Sequence, residues 1–306
     1  MNTWSFALNA DVSALVAQYV QQSRAKNTLR AYAEDLQHFV AWGGCIPAKP
    51  EQIAEYLAHY AQSLSYATLE RRLAGIHYAH TQQMLISPTR HPLVKAVLSG
   101  IRRQRRPRPR QVAPVLATEI KRMVRRLKGV RGTRDRALLL IGFAGAFRRS
   151  ELVKLQLEDL HFSRKGVAIT LQQSKTDQYG AGRVVAIPYT RSAYCPVVAL
   201  KAWLRLAKIK QGTVFRGINR YEQVTERGLS SQMVALIVKQ RAAEVGLDAS
   251  RYSGHSLRAG LATSAATQNI SSLKIRLQTG HKSDASLNGY IRDRDLFKNN
   301  AARVLR

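Results

Sequence analysis

Over residues 1–101, apolar positions recur at three- and four-residue spacing, which marks helices with one buried face. Val12, Leu15, Val16, Tyr19 and Val20 form one stripe; Leu29, Tyr32, Leu36, Phe39 and Val40 form a second that stops at Gly43-Gly44. Ile53, Tyr56, Leu57 and Tyr60 mark a third helix begun after Pro50, and Leu69, Leu73 and Ile76 a fourth. HPLVKAVLSGI supplies a fifth, with Pro92 in the first turn, where its missing N–H costs nothing. No alternating stretch interrupts them, so an all-helical unit is expected over residues 1–101.

The pattern breaks at IRRQRRPRPRQVAP, where Arg102, Arg103, Arg105, Arg106, Arg108 and Arg110 surround Pro107 and Pro109. Proline favours extended, semi-rigid backbone, so residues 102–114 read as a spacer rather than a helix. Beyond Pro114, LATEIKRMVRRLKG and TRDRALLLIGFAGAF read as helices with Thr118 and Thr133 as N-caps. The clear β region is KGVAITLQQSKTDQYGAGRVVAIPY. There Val167, Ile169 and Leu171 alternate, and Val184 to Ile187 form a second run past a glycine-containing turn. Helices resume at CPVVALKAWLRLA, SSQMVALIVKQRAAEVG and HSLRAGLATSAATQ. The expected fold is mainly α with a small β-sheet: an all-helical N-terminal domain and a mixed α/β C-terminal domain over residues 115–306.

Length and charge sharpen this picture. A chain of 306 residues can bury two ordinary cores. It carries 49 Lys and Arg against 19 Asp and Glu, a formal charge of +30. That excess predicts salt-sensitive attraction to a polyanion, with nucleic acid first and a membrane surface as the rival. No stretch approaches the roughly 18 apolar residues of a membrane span. The start, MNTWSFALNADV, lacks the basic and apolar segments of a secretory leader. A cytoplasmic protein is expected. Cys45 and Cys195 have no metal-like spacing, and neither a phosphate-binding glycine loop nor a zinc pattern occurs. No cofactor and no metal are expected. The arginine run is either a solvated linker or a strap along a phosphate backbone; its place between two units of a basic chain favours the strap.

Candidate chemistry lies in the second half. Arg148 stands in GAFRRSEL with Glu151 three residues on; His255 and Arg258 share a helical face; His281 follows a glycine in TGHKS; Tyr290 follows in LNGYIRD. Each has an ordinary structural explanation taken alone. Together they match what metal-free phosphodiester cleavage requires. Cations must grip the non-bridging oxygens, a proton donor must serve the leaving alkoxide, and a nucleophile must be activated. The arginine fork holds two phosphate oxygens and keeps its charge. A tyrosine hydroxyl, with a pKa of about 10, needs a base or a positive field.

These motifs, in this order, resemble the tyrosine site-specific recombinases, the phage integrase family, over nearly the whole chain, and within it the simple Cre/Xer-like type. NTLRAYAEDLQHFVAW looks like the family's core-binding helix. FRRSELVKL is similar to its first arginine motif, with Arg148 in the catalytic and Glu151 in the supporting place. Lys175 falls in the β-hairpin that holds the family's lysine; Lys165, at the start of the same β region, is the alternative. GHSLRAG resembles the His-x-x-Arg motif through His255 and Arg258, TGHKS supplies His281, and Tyr290 stands nine residues later as the nucleophile, with Tyr252 the next candidate. Two departures are visible. Ala259 replaces a frequent histidine, and the lead into Gly280-His281 reads RLQT, more polar than usual; neither touches a catalytic role.

The resemblance implies two transesterifications through a 3′-phosphotyrosyl intermediate. Arg148, Arg258 and His281 would stabilise the transition state, His255 would position or deprotonate Tyr290, and Lys175 would protonate the 5′-oxygen. The covalent bond conserves the phosphodiester energy, so neither ATP nor metal is needed. Implied partners are double-stranded DNA with inverted half-sites and other copies of the chain, a dimer per site and a tetramer in synapsis, with the tail after Tyr290 linking protomers. The resemblance divides the chain into a SAM-like core-binding domain (1–101), a basic linker (102–114) and a catalytic domain with its tail (115–306). The segment before residue 27 is too short for an extra arm-binding domain. Two other readings stay open: a type IB topoisomerase, and a non-catalytic sequence-specific DNA-binding protein.

Overall fold

The computed structural model describes residues 19, 24–105, 112–171, 182–281, 283 and 287. The chain divides into two compact units, Met1–Arg110 and Gln111–Arg306.

In the first unit, helices α1 (Lys26–Ala41), α2 (Pro50–His59), α3 (Tyr66–Gln82) and α4 (Pro92–Arg105) pack around Phe39, Ile53, Tyr56, Leu57, Leu69, Ile76 and Val94. They fall where the apolar spacing placed them. Helix α1 ends because Gly43 adopts φ 109° and the N–H of Gly44 turns back to Phe39 O at 3.0 Å. A side chain on Gly44 would overlap the Phe39 ring, so glycine is required there. Of the first apolar stripe, Tyr19 alone is described, as helical and exposed; Val12 to Val16 and Val20 lie outside the described residues.

The basic run departs from its expected form. Helix α4 continues to Arg105, so Arg102, Arg103 and Arg105 belong to its last turn rather than to an extended strap. Arginine is a good helix former and cations suit a helix C-terminus, whereas the first proline comes at 107. Arg105 donates to Gln62 O at 3.2 Å and also reaches Leu64 O, while Arg102 lies over the Tyr66 ring. Arg106, Arg108 and Arg110 lie outside the described residues.

The second unit contains α5 (Ala117–Arg125), α6 (Gly129–Ala144), α7 (Arg149–Lys154), β1 (Leu160–Phe162), β2 (Gly166–Leu171), β3 (Arg183–Pro188), α8 (Pro196–Leu206), β4 (Arg216–Ile218), β5 (Val224–Gly228), α9 (Ser231–Ala243), α10 (His255–Thr267) and α11 (Ser272–Thr279). Strands β1, β2 and β3 form an antiparallel sheet in that order, with Ile169 opposite Leu160 and Val185. The alternation in β2 and β3 turns Val167, Ile169, Leu171, Val185 and Ile187 into the core and leaves Val184 outside. Strands β4 and β5 form a separate hairpin. Helix α6 is the central member, with Leu138, Leu139 and Ile141 wholly enclosed, and Trp203 of α8 donates its indole N–H to Val214 O at 2.8 Å.

Neither expected threonine cap forms. Helix α5 starts at Ala117, so Thr118 lies within it, and Glu119 accepts the Leu116 N–H at 2.7 Å. Helix α6 starts at Gly129, which puts Thr133 one turn inside, donating to Gly129 O at 2.8 Å.

Helix α10, which carries His255 and Arg258, and the turn before it are fixed from outside by residues 113–117. Ala113 N–H donates to Arg251 O at 2.8 Å, Val115 N–H to Ser256 O at 2.9 Å, and Ala117 N–H to Ser264 Oγ at 3.1 Å. This approach is possible because Gly260 faces the Val115 backbone, where a Cβ would collide with the carbonyl. Gly260→Ala is therefore expected to destabilise this unit by about 1–3 kcal/mol through forced backbone movement. Urea unfolding measures it, and an unchanged midpoint would show that Val115 moves aside freely.

Candidate active site

Arg148 is placed by the end of α6. The chain leaves the helix through Gly145 and Ala146, and Ala146 adopts φ 48°, a left-handed conformation uncommon outside glycine. Phe147 is buried, and Arg148 then caps α7. Glu151, in the first turn of α7, holds Arg148 twice. Its Oε2 accepts the Arg148 backbone N–H at 2.8 Å, and its Oε1 pairs with Nη1 at 2.5 Å. The Glu151 side chain is only 3% exposed, so its charge depends on these partners.

Arg258 enters from α10 and is buried; its Nη1 donates to Ala146 O at 2.9 Å. The strained turn therefore aims a carbonyl at the second arginine two residues before it delivers the first. His255, one helical turn from Arg258, is exposed at the start of α10.

His281 is delivered by α11. Gly280 ends that helix in a left-handed conformation at φ 68°, and Thr279 beneath it is fully buried. Thr279 Oγ1 donates to Ile275 O at 2.7 Å and lies 2.8 Å from His281 Nδ1. Burial, followed by the charges of Arg258, Arg148 and Arg183, pushes the His281 pKa down from 6.5 to about 4. The imidazole is thus neutral in the free protein at neutral pH.

Arg183 was not singled out from the sequence. It opens β3, donates from Nη1 to Gln278 O at 3.0 Å, and places Nη2 3.6 Å from Glu151 Oε2. Its guanidinium occupies the space a Cβ on Gly280 would fill. Burial lowers its pKa, with Glu151 opposing and Arg148 adding to the effect. Gln278 was missed as well: its amide donates to Ala144 O at 2.8 Å and Ala186 O at 3.3 Å, tying α11 to the end of α6 and to β3. The polar lead RLQT thus anchors α11 through Gln278, with no catalytic role of its own.

The structure brings together Arg148, Glu151, Arg258 and His281 of the expected set. Lys175 and Tyr290 lie outside the described residues. The alternatives are placed elsewhere in character: Lys165 is exposed in the β1–β2 turn, and Tyr252 is a core residue, 7% exposed, with its hydroxyl 3.5 Å from Glu119 Oε1. Among the described residues, no group of three or more His, Cys, Asp or Glu could hold a metal ion, and no helix is long and apolar enough to cross a membrane.

The phage integrase family model matches residues 115–296, and the phage integrase N-terminal SAM-like domain matches residues 17–82. An integrase/recombinase xerD homolog of Selenomonas ruminantium is 40% identical over 306 residues, covering 96% of this chain and 89% of its own. Tyrosine recombinase XerC of Pelotomaculum thermopropionicum is 28% identical over 271 residues, covering 81% and 82%. The fold is shared with a lambda integrase tetramer bound to a Holliday junction (TM-score 0.63, 18% identity, 92% of this chain and 78% of that one). It is also shared with the Tn1549 transposon integrase in complex with transposon right end DNA (TM-score 0.62, 17% identity, 95% and 97%). The chain belongs to the phage integrase family. It is a tyrosine recombinase, an enzyme of site-specific recombination.

Two outcomes follow from the site's geometry. Arg183→Ala removes the tie between Glu151 and the α11 terminus, so DNA cleavage should slow by about tenfold or more while DNA affinity stays near wild type; gel-shift and single-turnover assays read the two separately. Because the folded pKa of His281 is depressed, the unfolded chain takes up that proton first as pH falls. The stability it contributes is present above pH 6.5 and is lost as pH falls through about 4. Replacing His281 with Gln should flatten that part of the stability–pH curve.

Proposed function

We propose that the chain cleaves and rejoins double-stranded DNA at two short sites with inverted half-sites, with Tyr290 forming a 3′-phosphotyrosyl bond and releasing a 5′-hydroxyl. The observation that carries this reading is the convergence of Arg148, Arg183 and Arg258 on the neutral His281, from four separate elements. Such a surplus of fixed cations suits a phosphoryl group whose charge grows in the transition state. Arg148, held by Glu151, and Arg258, held by Ala146 O, grip the non-bridging oxygens; His281 adds a third contact. His255, exposed at the helix start, orients or deprotonates Tyr290, and Lys175 protonates the departing 5′-oxygen. A 5′-hydroxyl of a partner strand then reverses the step.

In this reading residues 1–101 form the core-binding domain, 102–114 the linker and 115–306 the catalytic domain, whose tail after Tyr290 contacts a neighbouring copy. Arg102, Arg103, Arg105, Arg106, Arg108 and Arg110 supply phosphate contacts, the first three from a helix end. A lambda integrase dimer bound to a core site and the tetramer bound to a Holliday junction support a dimer on each site and a tetramer in synapsis. The protein acts at the nucleoid, in the cytoplasm.

A nicked suicide duplex, its site found by mapping covalent adducts on genomic DNA, tests the mechanism. Wild type should form an adduct that survives denaturing electrophoresis; Tyr290→Phe should bind equally and form none. Arg148→Ala or Arg258→Ala should slow cleavage by about 100–1,000-fold. A substrate with sulfur at the 5′ bridging position, whose thiolate leaves unprotonated, should rescue Lys175→Ala and not Arg148→Ala. An adduct retained by Tyr290→Phe would move the nucleophile elsewhere.

A further inference from the structure

The residue beneath the Gly280 turn has chemistry beyond closing a helix. Thr279 has one hydroxyl proton, directed at two pure acceptors, Ile275 O at 2.7 Å and, more weakly, Arg276 O at 3.4 Å. With the hydroxyl proton directed to Ile275 O, the same oxygen accepts toward His281, and the 2.8 Å contact then places a proton on Nδ1 of the ring. Thr279 is fully buried, which holds this geometry against exchange with water. Among the described residues, the charged groups acting on the ring are Arg258 of α10, Arg148 at the start of α7 and Arg183 of β3, all cations. None of them accepts a hydrogen bond, so none competes for the Nδ1 proton.

We infer that Thr279 is a positioning residue that fixes His281 in the Nδ1–H tautomer, so that the ring meets the scissile phosphate through Nε2 and must bind one proton to donate there. A neutral ring in this tautomer presents a lone pair at Nε2, and a phosphate oxygen also presents lone pairs. Contact becomes favourable when Nε2 takes a proton from solvent and forms an N–H bond. The arriving phosphate supplies the negative charge that the three guanidiniums otherwise oppose. Proton uptake is thus coupled to occupation of the site by the substrate's phosphate. This rests on the phosphoryl-transfer reading above and adds to it the protonation state in which His281 works.

The test uses the full chain with 15N-labelled histidine. In wild type and in Thr279→Ser, the His281 signals should show a protonated Nδ1 and an unprotonated Nε2 at neutral pH. In Thr279→Val, which keeps the shape and loses the hydroxyl's hydrogen bonds, that preference should be lost. Cleavage of the nicked duplex should then slow by about tenfold or more at unchanged DNA affinity, with Thr279→Ser restoring it. The wild-type cleavage rate should also decline as pH rises through the ring's pKa in the DNA complex. An Nε2–H tautomer in wild type, a Thr279→Val protein with wild-type tautomer and rate, or a rate flat across that titration would overturn the inference. If Thr279→Val does not fold, the wild-type and Thr279→Ser spectra and the wild-type pH profile still decide. Absence of any covalent adduct in wild type would instead sink the proposed mechanism, leaving the tautomer result intact.

Discussion

The candidate active site depends on one carboxylate. Glu151 is buried, and its two oxygens hold the Arg148 backbone and guanidinium while facing Arg183. Without that anion, the guanidiniums around His281 would repel one another in a region that water screens poorly. A buried ion pair adds little net stability, since desolvation offsets attraction. Its value here is direction: it aims a charge that a flexible side chain would otherwise let wander.

The elements around the carboxylate are rigid for different reasons. Helix α6 is buried from Ala137 to Gly142, so its C-terminal turn is a fixed point from which Ala146 and Arg148 are displayed. Helix α10 is clamped by two hydrogen bonds from Val115 and Ala117, and the turn before it by a third from Ala113. Helix α11 is short, and side-chain contacts from Gln278 and Arg183 do for it what length does for the others.

Much of this was legible in the sequence, because the helices have long apolar periods and most of the residues that come together around His281 sit in short contiguous motifs. Arg148 with Glu151, and His255 with Arg258, can be read as local pairs. Arg183, Gln278 and Thr279 could not be found that way. The partners of Arg183 and Gln278 are distant in the chain or are backbone carbonyls, which leave no mark on residue choice, and the contact of Thr279 with His281 depends on the left-handed turn at Gly280. Thr118 and Thr133 misled because capping preference is a local tendency, and tertiary packing began both helices earlier. The prolines at 107 and 109 drew the expected boundary too far back into a run of arginines that favours helix. Strands β1, β4 and β5 are too short for alternation to register.

The turn at Ala146 bears on how such a sequence can drift. It contributes no functional side chain, yet its carbonyl direction fixes Arg258 and its exit fixes Arg148. A branched side chain there would resist the left-handed backbone and turn the carbonyl away. Tolerance at position 146 is therefore set by a dihedral angle, and an outwardly neutral exchange of one small apolar residue for another can silence the enzyme while leaving every reacting group in the sequence intact.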